Sequence, residues 1–247
     1  MQWLPVAREV SPGLLTNEDP RLRGAWHPVA LTGELPCDVT LLGSRYSLVS
    51  REGVLHVQPE PWAVTERWGL VWIAPEEPRT ELFLDADTAD RTSVGAWLPP
   101  VRTPASADVE LSEFMHARTF GAAEENQIPR YAVSTGPDGF KSADDRGATY
   151  VYRAPFQLLL RLEEPDAVRT ILFFAQPETL TSTRVYTKLL LHGVADPGPE
   201  VVAREVAVLA EDLEVHRAMR QLLSPHDHAD LLGVTLRRIL ADFVNGP

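Results

Sequence analysis

Cysteine is nearly absent: Cys37 is the single one in 247 residues. A lone thiol excludes an internal disulfide framework, and it excludes any zinc or iron–sulfur centre that needs two or more cysteines of this chain. Basic residues are also scarce, with 23 Lys and Arg against 35 Asp and Glu and a formal net charge of −12. That balance lacks the basic face required by nucleic acid or an anionic membrane, and neither is expected as a partner. No apolar run reaches the ~18 residues of a spanning helix. The first residues hold no basic-then-apolar leader, so a cytoplasmic location is expected. Also missing are a Gly-x-Ser-x-Gly elbow, a phosphate loop and a Gly-x-Gly-x-x-Gly turn, which leaves serine hydrolysis and nucleotide binding without a motif.

What the chain does have is an ordinary globular composition, 44% hydrophobic and 23% charged, long enough for one large domain or two small ones. Residues 1–25 carry Pro, Gly and the Asn17-Glu18-Asp19 breakers and predict an irregular arm or a short helix with a loop. From Trp26 onward, β-branched and aromatic runs bounded by Gly and Asp predict strands: around 37–42, 45–49, 54–57 and 62–73. Residues 76–104, rich in Pro, Asp and Thr, read as a linker. A helix is predicted over 107–121. Strand runs follow near 130–133, 149–152, 156–162, 169–175 and 182–190, with turn signals between them that predict an antiparallel meander. Val202, Val206, Leu209 and Leu213 form the stripe of a long helix from about 199 to 223. Ser224-Pro225 starts a last helix that buries Leu232, Leu236, Ile239 and Phe243. The class is α+β.

Asp108, Leu111, Met115, His116 and Thr119-Phe120-Gly121 lie on the 107–121 helix. This string resembles the iron-binding helix of the Rieske non-haem iron oxygenases (the vanillate demethylase and ring-hydroxylating group), which reads Asp-x-x-His-x-x-x-x-His before a Thr-Phe-Gly tail. Trp26-His27-Pro28-Val29-Ala30 and Gly69-Leu70-Val71-Trp72-Ile73 resemble flanking strands of the same family, and Gln176-Pro177-Glu178 with the next strand resembles its catalytic domain. The resemblance covers roughly 26–244, by order of segments more than by identity.

The resemblance implies a helix-grip (START-like, SRPBCC) domain over 81–247 that encloses an apolar substrate cavity. It also implies a truncated Rieske-like β-sheet over 26–80, after an arm at 1–25. It places His116 and Asp212, within Glu211-Asp212-Leu213-Glu214, at two iron-ligand positions, and Asp108 at the carboxylate that bridges to a neighbour's cluster. Two positions depart. Leu111 stands where the first histidine belongs, and no Cys-x-His pair exists to hold a 2Fe–2S cluster. A mononuclear Fe(II) site uses two histidines and a carboxylate, and here one histidine is missing.

Other polar groups have plainer readings. His216, four residues after Asp212, shares its helix face and is the one substitute ligand in reach; a surface histidine on a charged helix is the simpler account. His226-Asp227-His228 sits at a helix start where polar residues are normal, and Glu124-Glu125 reads as a solvated face. His116 alone reads as a hydrogen-bonded cavity residue. Two functions follow. One is a cluster-less relative that binds a small apolar or aromatic molecule without oxygen chemistry. The other is an iron oxygenase using His116 and Asp212 with electrons from a separate partner, or else a non-catalytic subunit of an oxygenase. The family commonly forms head-to-tail trimers, so the resemblance leaves room for a homo-oligomer (a trimer) or an oxygenase partner, although without a cluster the functional reason for that ring is gone.

Overall fold

The computed structural model describes residues 15–83, 94–120, 131–145, 147–163, 168–193, 199–200, 202–204, 206–207, 210 and 231–246. The strands are β1 (His27–Leu31), β2 (Cys37–Leu41), β3 (Ser44–Arg51), β4 (Val54–Gln58), β5 (Ala63–Arg67), β6 (Leu70–Ala74), β7 (Val94–Trp97), β8 (Val101–Thr103), β9 (Tyr131–Thr135), β10 (Gly139–Asp144), β11 (Ala148–Arg153), β12 (Gln157–Glu163), β13 (Val168–Thr179) and β14 (Ser182–His192). Two helices carry the labels α1 (Ala107–Phe120) and α2 (Leu231–Asn245). The described residues between 199 and 210 are also helical; the rest of the predicted long helix lies outside the described residues.

The expected meander is present. An eight-stranded antiparallel sheet runs β7-β14-β13-β12-β11-β10-β9, with β8 pairing a second stretch of β14. Two strands at its far edge correct the linker reading of 76–104. Val94–Trp97 lies against 188–191, and Val101–Thr103 against 183–185. These strands are short and separated by Pro99-Pro100, so only pairing with β14 makes them strands. β10 is a second correction, since its Gly-Phe-Lys-Ser-Ala-Asp sequence has little strand character. Gly139 permits it, because a Cβ there would lie 1.9 Å from the carbonyl oxygen of Tyr152.

The N-terminal strands form two three-stranded sheets, β1-β6-β5 and β2-β3-β4, where the sequence suggested one. Three hairpins close through two-residue turns, Leu42-Gly43, Glu52-Gly53 and Trp68-Gly69, with positive φ at both positions of each. That pattern matches the right-handed twist of the flanking strands and is why glycine is second in all three.

Alternation along the large sheet gives it two buried faces. On one, Tyr152, Leu158, Ile171 and Phe173 share register and face the helices. Phe114 of α1 stacks on Phe173 with ring centroids 4.3 Å apart, a pair worth about 1 kcal/mol beyond its area burial. Leu232, Leu236, Ile239 and Phe243 bury the inner stripe of α2, as its period predicts. The opposite face carries Leu172, Phe174 and Tyr186, which pack against Trp72, Leu70 and Phe83. Trp68 stacks parallel to Phe174 at 5.5 Å and Trp72 meets it edge-on at 4.9 Å. The helices thus cover one face of the large sheet, while β6 and Phe83 cover part of the other.

Polar contacts lock the small sheets onto β13 and β14. Leu42 and Gly43 donate to the carbonyls of Pro177 and Glu178, each at 2.8 Å. The Gln176 amide donates to the Thr40 carbonyl (2.7 Å) and its oxygen accepts from the Tyr186 hydroxyl (2.7 Å). Arg184 pairs with Glu34, whose other oxygen accepts from the Leu31 N–H. Behind the Trp68 turn, Trp97 Nε1 and Lys188 Nζ both donate to the Trp68 carbonyl, at 3.1 and 3.0 Å.

Turn glycines give a graded test. Gly53 has φ +77° and nothing near a Cβ, so Gly53→Ala isolates backbone strain at about 1 kcal/mol. Gly43→Ala adds a contact 2.9 Å from Glu18, whose carboxylate accepts from Leu180 N–H, and should cost about 1 kcal/mol more. Urea melts showing equal losses would contradict this ordering.

His27 supplies a pH test. It is fully buried, and its Nε2 lies 2.8 Å from the Leu22 carbonyl, so that nitrogen carries the proton of a neutral ring. Burial pushes its pKa down to about 4. A depressed histidine contributes stability that is complete above pH ~6.5 and is lost as pH falls toward 4, about 3 kcal/mol in all. Relative to His27→Gln, the wild type should lose stability across that window; a pH-independent difference would refute it.

Candidate functional site

Helix α1 is placed by the side chain of a residue from the arm. Asn17 is buried; its Nδ2 lies 3.0, 2.9 and 2.8 Å from the Thr179 carbonyl, the Ser182 carbonyl and Thr183 Oγ1. Its Oδ1 accepts from the Ala107 N–H at 2.9 Å, the first amide of α1. An orphan amide at a helix start needs such an acceptor, and here it comes from 90 residues away. Nothing in the periodicity of the sequence singles out Asn17; it stands among breakers. On the next turn Thr103 donates to the buried Glu110 carboxylate at 2.5 Å.

The described half of α1 is buried on nearly every side. Ala107, Leu111 and Met115 have no exposure, and Asp108 and Phe114 little. Leu111 lies in the same apolar core as Phe114, Met115, Tyr152 and Phe173. The Asp108 carboxyl is also in this interior. Burial raises its pKa above the usual aspartate value, against the opposing pull of Ser106, of the backbone N–H groups of Val109 and Asp108, and of Arg237 on α2. Its Oδ1 has no hydrogen-bond partner. The Tyr152 hydroxyl donates to the Pro155 carbonyl at 2.9 Å. Burial, and then the charge of Asp108, hold that phenol far above its usual range.

The sequence placed His116 on this helix, and the backbone of α1 does include it; its side chain lies outside the described residues. Asp212, His216, His226, Asp227, His228, Glu124 and Glu125 also lie outside them. Of the expected set, Asp108 and Leu111 are therefore the two with described surroundings, and they sit one turn apart in the interior. Among the described residues no three His, Cys, Asp or Glu side chains gather as metal ligands would. Cys37 is half-buried on β2, and burial with the nearby Glu34 pushes its thiol up, away from the thiolate a metal takes.

Asn17→Ala should cost about 2–3 kcal/mol, because it strands buried groups on β13, β14 and α1 at once. Hydrogen exchange at the Ala107 amide should accelerate with it. Unchanged protection there would show that α1 does not depend on Asn17.

No protein-family model and no curated protein matches the chain by sequence. Solved structures do. NdmA from Pseudomonas putida CBB5 superposes with a TM-score of 0.69 at 15% identity, covering 92% of this chain and 96% of its own. The QL mutant of NdmA with caffeine gives 0.70 over the same shares, also at 15% identity. Dicamba monooxygenase bound to dicamba gives 0.63 at 15% identity, over 91% and 98%. The largely β architecture of the described residues is thus shared over about nine-tenths of this chain, and by fold alone it stands beside the Rieske non-haem iron oxygenases.

Proposed function

We propose that this protein is a cluster-less relative of the Rieske oxygenases that binds a small apolar or aromatic molecule and performs no oxygen chemistry. The carrying observation is Leu111. At the place of a ligating histidine stands a fully buried leucine, in one core with Phe114, Met115 and Phe173. An alkyl group offers an iron no donor, so the Leu111 position does not fit a facial triad.

In this reading residues 81–247 are a helix-grip domain, with the ligand held between the large sheet and the helices. Residues 26–80 are the reduced remnant of a Rieske domain, kept for packing. Two features support the second point. One cysteine cannot supply a cluster that takes two, and three of the hairpins in this region close through two-residue turns. A homo-oligomer would in this reading rest on an inherited interface alone, since without the cluster the ring has no electron-transfer role.

Two measurements test the proposal together. Elemental analysis after anaerobic Fe(II) loading should find iron well below one per chain, and naphthalene should bind saturably, with Kd on the order of 10 μM for a ligand of its size. About one iron per chain, lost in His116→Ala and Asp212→Ala, would instead make the protein an iron oxygenase with an external electron source.

A further inference from the structure

Of the 23 Lys and Arg in the sequence, two are lysines, Lys141 and Lys188. Lys141 is exposed on β10. Lys188 is half-buried on β14, between Tyr186 and Leu190 on the face that meets Trp72 and Leu70. In register it stands opposite Trp97 of the edge strand β7, and its Nζ lies 5.2 Å from the Trp97 ring centroid. Among the described residues its one hydrogen-bond partner is the Trp68 carbonyl at 3.0 Å, in the turn between β5 and β6. That oxygen also accepts from Trp97 Nε1 at 3.1 Å. The arginines nearby are placed differently: Arg102 pairs with Glu178 and Arg184 with Glu34. No carboxylate among the described residues pairs with Lys188, and burial lowers its pKa below the usual lysine value.

The edge beside this amine is open on the β7 side. Gly95 is exposed, and a Cβ there would lie 3.3 Å from Lys188 Cε. A side chain at that position would lie against the lysine stem, and glycine leaves the stem uncovered by β7.

Two properties of this setting suit an acyl group. Partial burial without a counter-charge shifts the balance toward the neutral amine, relative to a fully solvated lysine, and the neutral amine is the nucleophile. The acylated product also fits the contacts present. An amide nitrogen keeps one N–H, and a carbonyl acceptor needs no charge on its donor, so the bond to Trp68 survives while a desolvated charge is removed. The Trp97 face, which offsets part of the cost of that charge, is equally an apolar wall for an acyl chain.

We propose that Lys188 is a site of N-acylation by small thioesters, and that the acylated side chain stays bonded to the Trp68 carbonyl. Nζ attacks the thioester carbonyl carbon, the C–N bond forms as the C–S bond breaks, and the proton lost by nitrogen ends on the leaving thiolate. No oxidant or reductant enters. The modification acts at the contact between the large sheet and the β5–β6 turn, apart from the interior beneath the helices.

The test uses the full chain, an acetyl thioester (N-acetylcysteamine thioacetate) in mildly alkaline buffer, and peptide mass spectrometry of acetylation at Lys188 and Lys141. The same reaction on urea-unfolded chain gives the ratio of the two sites without the fold. The native ratio of Lys188 to Lys141 should exceed the unfolded ratio by about threefold, as a partly desolvated amine without a carboxylate predicts. In Lys141→Arg, where Lys188 is the one lysine left, full acetylation should leave the urea midpoint unchanged or raise it. A native ratio at or below the unfolded one would overturn the proposal, because the fold would then shield the amine. A midpoint lowered by acetylation would overturn it as well, because the charge itself would then hold the contact with the turn.

Discussion

The carboxamide of Asn17 ties together the three parts that any site in this protein needs. One side chain binds the ends of β13 and β14 and the first amide of α1. The same arm reaches the other helix, since Arg21 donates to Asn245 at the end of α2. Arg79 bridges the two, donating to the Arg21 and Phe243 carbonyls while its guanidinium lies 4.1 Å from the Phe243 ring centroid. A chain segment with almost no regular structure therefore sets where both helices rest on the sheet. Asn17 is buried, so its geometry is fixed by hydrogen bonds that water cannot easily replace, whereas the Arg21 contacts are exposed.

That fixed placement decides the chemistry of the interior. α1 delivers an aspartate and a leucine, one turn apart, into a core built from both helices and one face of the sheet. In that apolar setting burial raises the Asp108 pKa above the usual aspartate value, against the pull of Ser106 and of backbone N–H groups.

Much of this was legible in the sequence, for reasons that differ by element. The meander, α1 and α2 were readable because Leu158, Leu160, Ile171 and Phe173 alternate, and Leu232, Leu236 and Ile239 recur at helical spacing. The order of short motifs pointed to the fold that the solved structures share. β7 and β8 were not readable, because these edge strands acquire their state from β14, far off in the chain, and β10 was not, because a Gly-Phe-Lys-Ser-Ala-Asp strand has little strand character until it pairs with its neighbours β9 and β11. Asp108 and Leu111 could be singled out by their places in a motif. Asn17 could not, since an asparagine among turn residues looks solvent-facing until the packing around it is known.

The three two-residue hairpins differ in one respect that matters for altering the molecule. The Leu42-Gly43 tip is hydrogen-bonded to β13, and the Trp68-Gly69 tip is held by Trp97 and Lys188. The Glu52-Gly53 tip touches nothing that a Cβ at Gly53 would meet. It is therefore the natural port in this half of the chain, a place where a longer loop, a fluorophore or a tether can be spliced in without reaching the interior.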